Sequence, residues 1–413
     1  MRTVGLIVEY NPFHNGHSYH LQQSLKITGA EAVVAVMSGN FLQRGEPALV
    51  DKWTRTRMAL AGGCDLVIEL PVAYATQAAE WFAYGAVSLL EATGVVDAFC
   101  FGTESGLLSP LLRAAELASD EPEAFKRLLK QRLETGMAYP QAYSGAIAAY
   151  TAEQGDADAS SFPFDQPNHT LGLHYLIAHR RLRGRMEPFT IAREKAEYNQ
   201  TTITDIRIAS ATAIRKRLFE GLSLTDILPF VPASTYELLS DCVEKRLAPI
   251  GWDHYMHPLL HGMLTSSAEQ LGQLHELSEG LEHRLLQSLP NLETVSFESL
   301  LAQLKTKRYT RTKLQRALLS VLLGHAKSDF TADKLRSGAG YLRILGFTDK
   351  GRQLLKQMKK TATMPVLLSA ARPPERFRYL DLDTAASAAY LLGVPGANAV
   401  DLFRDFRDMP VIV

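Results

Sequence analysis

His14 and His17 stand three residues apart with Gly16 between them, directly after a short apolar, β-branched run at residues 3–9. That run is typical of a buried parallel strand, and Pro12 ends it before a helical pattern begins at Gly16. Side chains at i and i+3 share one side of the first helical turn, where free N–H groups and the helix dipole attract phosphate. Gly16 lets a phosphate approach the backbone without a Cβ in the way. The pattern predicts phosphoryl or nucleotidyl transfer, in which catalysis is mostly positioning and charge stabilisation.

Two simpler interpretations of the histidines remain open at this point. They could be residues at the start of a helix in a surface loop, with no ligand. They could also be a zinc pair, but no Cys, Asp or Glu stands at ligand spacing nearby, which disfavours a metal site.

The composition is that of a soluble globular protein. The chain has 413 residues, 46% of them hydrophobic and 21% charged, and its length predicts two or three domains. No N-terminal signal pattern or apolar run of about 18 residues is present, so no membrane partner is expected. Three scattered cysteines, Cys64, Cys100 and Cys242, suit buried thiols in a reducing compartment, and we assign none of them as catalytic. These features predict a cytoplasmic location.

Strand and helix patterns alternate along the first half of the chain. Buried strands are predicted at 32–37, 65–70 and 98–101, with helices between them, and another strand at 188–192. This alternation predicts an α/β fold: a Rossmann-like doubly wound parallel sheet. Residues 107–160 have helical patterns and are predicted to be an insertion near the site.

The domain boundary is predicted at the proline-rich stretch near residue 230. Residues 1–230 would form the catalytic domain, and residues 231–413 a mainly helical C-terminal domain. Residues 365–368 and 410–413 could be short strands, to which we assign no function.

Three further places in this half could carry chemistry. The loop Ser38, Gly39 and Asn40 follows the second strand and is a substrate-site candidate, although an ordinary turn is the alternative. Lys52, Arg55 and Arg57 open the next helix and could equally be a solvated helix face. Gly102, at the end of the fourth strand, is the third candidate.

Ser210 is predicted to cap a helix, whose N-terminus again presents free N–H groups. Arg215, a turn and a half further on, could reach a phosphate with its fork of donors. Asn168 precedes another helical pattern, and by itself it reads as a capping asparagine.

Positive charge is concentrated near the C-terminus. Residues 301–360 hold fifteen Lys or Arg against three Asp, a net charge of +12 in a chain whose total is zero. The cations singled out there are Lys305, Lys307, Arg308, Arg311, Lys313, Arg316, Arg343 and Lys350. Tyr309 lies within the densest run, an arrangement found in single-stranded RNA contacts. A solvated charged helix is the ordinary alternative, but the charge bias favours a polyanion-binding region.

The H-x-G-H pattern after a first strand resembles the signature of the nucleotidyltransferase superfamily related to class I aminoacyl-tRNA synthetases. More narrowly, residues 11–17, 37–41 and 45–48 resemble the bacterial tRNA(Met) cytidine acetate ligase family. The Pro-Asn pair ending in Asn168 and the basic run resemble matching segments of that family. Ser210, Thr212 and Arg215 resemble the second superfamily signature. Two departures are Glu104, where the superfamily has Asp, and Ala211, where Ser is common.

The resemblance implies an ATP-dependent ligase. It would activate acetate as acetyl-adenylate, release pyrophosphate, and acetylate N4 of the wobble cytidine of elongator tRNA(Met). His14 and His17 would stabilise the reacting phosphates, and Arg215 would bind pyrophosphate. Mg²⁺ is expected as a cofactor, although the sequence shows no cluster of carboxylates dedicated to binding it. The implied ATP-binding residues are Ile7, Val8, Glu9, Tyr10, Asn11, Pro12, Phe13, His14, Asn15, Gly16, His17, Gly102, Asn168, Arg193, Ser210, Thr212 and Arg215.

Two other functions remain as alternatives. A nucleotidyltransferase that adenylylates a phosphorylated small molecule needs the same motifs, but not the basic C-terminal region. A non-catalytic RNA-binding protein on a degenerate nucleotide fold would not need intact histidines and Arg215. No DNA partner is expected.

Overall fold

The computed structural model describes residues 1–193, 209–221, 223–306 and 309–413. The elements of the first part are β1 (Thr3–Val8), α1 (Asn15–Thr28), β2 (Ala32–Ser38), α2 (Lys52–Ala61), β3 (Leu66–Leu70), α3 (Val72–Ala75), α4 (Ala79–Thr93), β4 (Ala98–Thr103), α5 (Ser109–Ala118), α6 (Glu123–Glu134), α7 (Tyr139–Glu153), α8 (Ala157–Ser160), α9 (Pro167–Arg181) and β5 (Glu187–Ala192).

The remaining elements are α10 (Ala211–Phe219), α11 (Ala233–Glu244), α12 (Met256–Leu264), α13 (Ala268–Gly272), α14 (Leu281–Ser288), α15 (Phe297–Leu304), α16 (Arg311–Leu323), α17 (Ala332–Arg336), β6 (Leu342–Phe347), α18 (Asp349–Thr361), β7 (Val366–Leu367), α19 (Arg378–Leu392), α20 (Arg404–Arg407) and β8 (Val411–Ile412). Short 3₁₀ turns connect several of them, including Leu224–Phe230 and Trp252–Tyr255.

One sheet organises the molecule. Its strand order is β5-β4-β1-β2-β3-β6-β7, with β8 paired to β6, and β1 to β5 are mutually parallel. The chain adds strands on one side of β1 and then returns to place β4 on the other side. This topological switch point between β1 and β4 is where open α/β sheets bind ligands. The predicted fold class is confirmed.

Both faces of the sheet are covered, as the continuous apolar runs predicted. Val34 and Val36 of β2 belong to the core that includes α4 and α9, whereas Val33 and Ala35 belong to the core that includes α1 and α2. Every residue of β2 is buried. The strand ends are therefore rigidly placed.

The segment predicted as a helical insertion is helical, and its helix α5 packs on α9. The C-terminal part is mainly helical as well, but it also contributes strands. β6 pairs antiparallel with β3, so the sheet of the N-terminal part continues beyond the predicted boundary at residue 230. The two short strand candidates form β7 and β8, both of which pair with β6.

Within the described ranges of the chain, no helix is both long enough and apolar enough to cross a membrane.

Candidate active site at the switch point

A cavity of about 230 Å³ opens between the carboxyl ends of β1 and β4. α1 and α9 contribute to it from two sides, and the loop after β2 and the start of α10 complete it. Its lining includes Ile7, Val8, Glu9, Tyr10, Asn11, His14, Gly16, His17, Tyr19, His20, Leu42, Gln43, Arg44, Glu46, Phe82, Phe101, Gly102, Asn168, Leu171, Tyr175, Ile191, Ala192, Arg193, Ser210, Ala211, Thr212 and Arg215.

The two signature histidines lie side by side at the start of α1. His14 is the N-cap, and its Nδ1 accepts the N–H of Gly16 at 3.0 Å. The His17 ring returns to the cap, where its Nδ1 accepts the N–H of His14 at 3.3 Å. The two ring centroids are 3.8 Å apart. The spacing prediction is therefore confirmed: both imidazoles share one side of the first turn.

Neither imidazole carries a charge at neutral pH. Burial, followed by the nearby Arg193 and Arg215 cations, lowers the pKa of His14 to about 3. Burial and the adjacent His14 lower the pKa of His17 well below its ordinary value. Because His14 Nδ1 accepts a hydrogen bond, the proton of its neutral ring lies on Nε2. The histidines can therefore donate hydrogen bonds, while the two arginines supply positive charge.

Arg215 connects α10 to the signature loop. Its Nη1 donates to the carbonyl of Asn11 at 3.0 Å, and its Nη2 lies 3.4 Å from Glu46 Oε2. Ser210 caps α10 as predicted, because its Oγ accepts the N–H of Ala213. The H-x-G-H turn and the Ser210–Arg215 turn, about 200 residues apart in the chain, thus face one cavity.

Glu104 has a structural explanation. Its Oε1 accepts the backbone and side-chain N–H groups of Asn168, at 2.9 and 2.7 Å, and its Oε2 accepts the N–H of His169. The carboxylate therefore caps the N-terminus of α9, where negative charge is favourable. Arg193 Nη1 donates to Asn168 Oδ1 at 3.0 Å, so Glu104 positions the amide that holds Arg193.

Most of the residues expected to bind ATP line the cavity, but three do not. Pro12 follows a cis peptide bond, Phe13 is fully buried against Gly62, and Asn15 donates to the carbonyl of Pro229. These three residues shape the loop beneath the cavity.

The substrate assignment of Ser38, Gly39 and Asn40 is wrong for this cavity. Their carbonyl and amide groups are used inside the protein: Arg55 donates to the Ser38 and Gly39 carbonyls, and Asn40 Oδ1 accepts the N–H of Lys52. Gly39 is required because an added Cβ would lie 2.8 Å from Glu69 Oε1. Leu42, Gln43, Arg44 and Glu46 of the same loop line the cavity instead.

The interpretation of α2 as a solvated face also fails for two of its three cations. Lys52 and Arg55 are fully buried, whereas Arg57 is exposed. Lys52 Nζ lies 2.7 Å from Glu69 and 2.9 Å from Asp405, so its charge is neutralised within the core.

The predicted RNA-binding cations fall into different environments. Arg343 is a correction: it is fully buried and paired with Asp405 at 3.2 Å, so its side chain cannot contact an RNA on the surface. Lys313 and Arg316 are half-buried, and both pair with Glu276. Arg311 is exposed and bonds Glu298.

Lys305 is exposed. Lys350 is exposed too, but its Nζ donates to the carbonyl of Glu31, which directly precedes β2 at the amino ends of the strands, away from the cavity. Lys307 and Arg308 lie outside the described residues.

The basic helix α16 directly contacts the loop of residues 42–46, the cavity loop. Gly45 has a φ of +77°, and an added Cβ would lie 2.7 Å from the backbone nitrogen of Arg316. This contact places Lys313 and Arg316 behind the loop of residues 42–46, of which Leu42, Gln43, Arg44 and Glu46 line the cavity.

Comparison with known proteins agrees with this geometry. Residues 1–401 match the model of the family described as HIGH Nucleotidyl Transferase. The tRNA(Met) cytidine acetate ligase of Acetivibrio thermocellus is 40% identical over 401 residues, which cover 95% of each chain. The enzyme of the same name from Anoxybacillus flavithermus is 40% identical over 413 residues and all of both chains. The chain belongs to the tRNA(Met) cytidine acetate ligase family.

Solved structures from this family have the same fold. Apo Thermotoga maritima TmcAL matches with a TM-score of 0.92 at 32% identity, over 100% of both chains. The crystal structure of the same protein bound with alpha-thio ATP matches with a TM-score of 0.90 at 32% identity, over 100% of this chain and 99% of that one.

Several lining residues were not predicted from this family member's sequence. Tyr19, His20, Gln43, Arg44, Glu46 and Tyr175 all border the cavity. A signal existed for His20, which continues the i, i+3 series from His17 on the same face of α1. Tyr19 lies on α1 but outside that series, and Glu46 lies in the segment 45–48 that carries the family resemblance. Gln43, Arg44 and Tyr175 had no signal, because a loop and the distant helix α9 bring them to the cavity.

Proposed function

We propose that this chain is an ATP-dependent ligase that activates acetate as acetyl-adenylate and acetylates N4 of the wobble cytidine of elongator tRNA(Met). The observation that carries the proposal is the convergence of His14, His17, Arg193 and Arg215 on one cavity at the switch point. Relatives that are about 40% identical over almost the whole chain bear this name.

ATP would lie in the crevice with its phosphates against the start of α1. Gly16 and the N–H groups of this turn would approach the phosphates closely. Neutral His14 and His17 would donate hydrogen bonds to phosphate oxygens, and Arg193 and Arg215 would balance the charge. The apolar side chains of Phe101, Leu171 and Ile191 would cover the base or ribose.

The first step would join acetate to the α-phosphate. A carboxylate oxygen attacks the α-phosphorus, the bond to the β-phosphate oxygen breaks, and pyrophosphate leaves. Acetate is already ionised, so this step needs alignment and charge neutralisation rather than a base. Arg215, held by the Asn11 carbonyl, is suited to retain the charge that develops on pyrophosphate.

The second step would transfer the acetyl group. The exocyclic N4 amine of cytidine attacks the carbonyl carbon, the carbon–oxygen bond to AMP breaks, and N4 loses a proton. The exposed cations Lys305 and Arg311 would contact the RNA backbone on the face next to residues 42–46.

We propose that Mg²⁺ arrives on the triphosphate, whose oxygens supply its ligands and whose charge it would offset. Among the residues that the structure describes, no group of three or more His, Cys, Asp or Glu side chains could hold a metal ion. A cytoplasmic location follows from the proposed substrate.

The test is acetate-dependent exchange of labelled pyrophosphate into ATP by the purified protein. Formate, propionate and no acid serve as comparisons, each with and without tRNA. Exchange that requires acetate is the expected result. Absence of exchange with every acid, even with tRNA present, would refute carboxylate activation and favour a phosphorylated small molecule as the substrate.

A further inference from the structure

We propose that Glu9 is the proton acceptor for the N4 amine of cytidine during acetyl transfer. The inference rests on the proposed function and adds to it, because carboxylate activation needs no base but acetyl transfer to an amine does. It assigns to this side chain a chemical role in the second step.

Glu9 is placed for such a role by the end of β1. It follows Val8, the last residue of the strand, and its side chain lines the cavity. Its Oε1 accepts the N–H of Gln43 at 2.7 Å, which fixes the carboxylate. Within the described part of the chain, Oε2 accepts no hydrogen bond, so this oxygen remains available to a substrate N–H.

The charges around Glu9 come from three elements. Glu46 of the cavity loop, Arg55 of α2 and Arg215 of α10 all act on it. Burial, the largest effect, raises the pKa of the Glu9 carboxyl above its ordinary 4.5, and Glu46 adds to this, while the Gln43 N–H and the two arginines oppose it. A carboxylate with a raised pKa is a stronger base, yet it is still ionised when the pH exceeds that pKa.

The loop that holds Glu9 also contacts the basic helix α16, where RNA would bind. Gln43, which holds the carboxylate, belongs to the loop whose Gly45 touches the backbone of Arg316. Glu46 of the same loop acts electrostatically on Arg311, at the N-terminus of the basic helix. A cytosine inserted from the basic surface would therefore pass the loop that holds the Glu9 carboxylate.

The chemistry of cytosine fits a carboxylate at this position. Glutamate is a usual acceptor for the cytosine N4 amine. The N4 lone pair attacks the acetyl carbon, the electrons of the carbon–oxygen bond leave with AMP, and one N4 proton passes to Glu9. The AMP phosphate leaves as an anion and needs no proton, so this is the one proton transfer the step requires.

Glu9→Gln tests the proposal, because the amide oxygen can still accept the N–H of Gln43 but cannot take a proton. Because Glu9 also lines the ATP cavity, we expect acetate-dependent pyrophosphate exchange to fall as well, but by a much smaller factor than acetyl transfer. Single-turnover transfer of the acetyl group from preformed acetyl-adenylate to tRNA should fall by about 10²–10⁴-fold. In the wild type, the transfer rate should rise with pH through a value above the ordinary 4.5 and then level off.

Glu9→Asp keeps a carboxylate and should retain that pH dependence at a lower rate. The matched control is Glu31→Gln, an exposed glutamate directly before β2 at the amino ends of the strands, which should change neither reaction. Transfer by Glu9→Gln within threefold of wild type, or a wild-type transfer rate independent of pH, would overturn the assignment. An equal loss of exchange and transfer would show that Glu9 acts in ATP binding instead. Failure of the wild type to catalyse exchange would refute the proposed function itself, and with it this inference.

Discussion

Arg55 forms hydrogen bonds to the carboxyl ends of both β1 and β2. Truncation of its side chain should strongly destabilise the folded protein. The guanidinium is fully buried and donates four hydrogen bonds to backbone carbonyls. Nη1 bonds the carbonyls of Glu9 at 2.7 Å and Ser38 at 3.0 Å, Nε bonds that of Val50 at 3.3 Å, and Nη2 bonds that of Gly39. The change to test is Arg55→Met, which fills similar space with an apolar side chain.

The size of the loss follows from these contacts. Four hydrogen bonds from a charged group, at about 1.5–3 kcal/mol each, would sum to about 6–12 kcal/mol if nothing relaxed. The desolvation of the guanidinium costs several kcal/mol in the native protein, and the variant is spared that cost. We therefore expect the free energy of unfolding to fall by about 3–5 kcal/mol.

Urea unfolding followed by circular dichroism measures this change. Arg57→Met, two residues further along the same helix and exposed, is the matched control and should alter the free energy of unfolding by less than about 0.5 kcal/mol. If Arg55→Met unfolds within about 1 kcal/mol of that control, the four carbonyls do not depend on the guanidinium and the reasoning is refuted.

Three further predictions concern the histidines, the basic surface and the cavity loop. The pKa of His14 is about 3 in the folded state and ordinarily 6.5, so between these pH values the unfolded chain binds more protons than the folded protein. The free energy of unfolding therefore falls as the pH decreases through this range. His14→Gln should remove about 1.4 kcal/mol per pH unit of that dependence in unfolding measurements at about pH 4–6. Arg311→Ala should reduce the slope of log affinity for tRNA against log salt concentration by about 0.7–0.9. Lys350→Ala, at the amino ends of the strands and away from the cavity, should leave this slope unchanged. Equal slopes for the two variants would contradict RNA binding on the face that carries Arg311. Gly45→Ala should strain a positive φ and push the loop off Arg316, so tRNA acetylation should fall more than acetate-dependent exchange; equal effects on both would mean that the contact does not link RNA binding to the cavity.

Local sequence was sufficient where the structure depends on neighbours along the chain. The strand and the helix start of residues 3–17 follow from hydrophobic periodicity, and the i, i+3 geometry of the two imidazoles follows from the helix itself. The same holds for Ser210 at the start of α10. The doubly wound sheet followed from the alternation of apolar strands and helices.

Tertiary structure alone decided which charged side chains face solvent. Arg55 and Arg343 look like Arg57 and Arg311 in the sequence, yet the first two are buried. A buried cation is tolerated only when acceptors distant in the chain surround it, and those partners, such as Asp405, have no local signature.

The same reason explains the misplaced substrate loop and the unexpected strand. Asn40 was free to bind a ligand in the sequence, but the fold uses its amide against Lys52 and Ser387. β6 joins the sheet because β3 presents an open edge. The residues of β6 themselves, 342–347, do not indicate which strand they pair with. The sequence by itself determined the helix starts at His14 and Ser210 and the order of the elements. The partners of each buried charge, and the orientation of Glu9 into the cavity, depended on contacts between residues far apart in the chain.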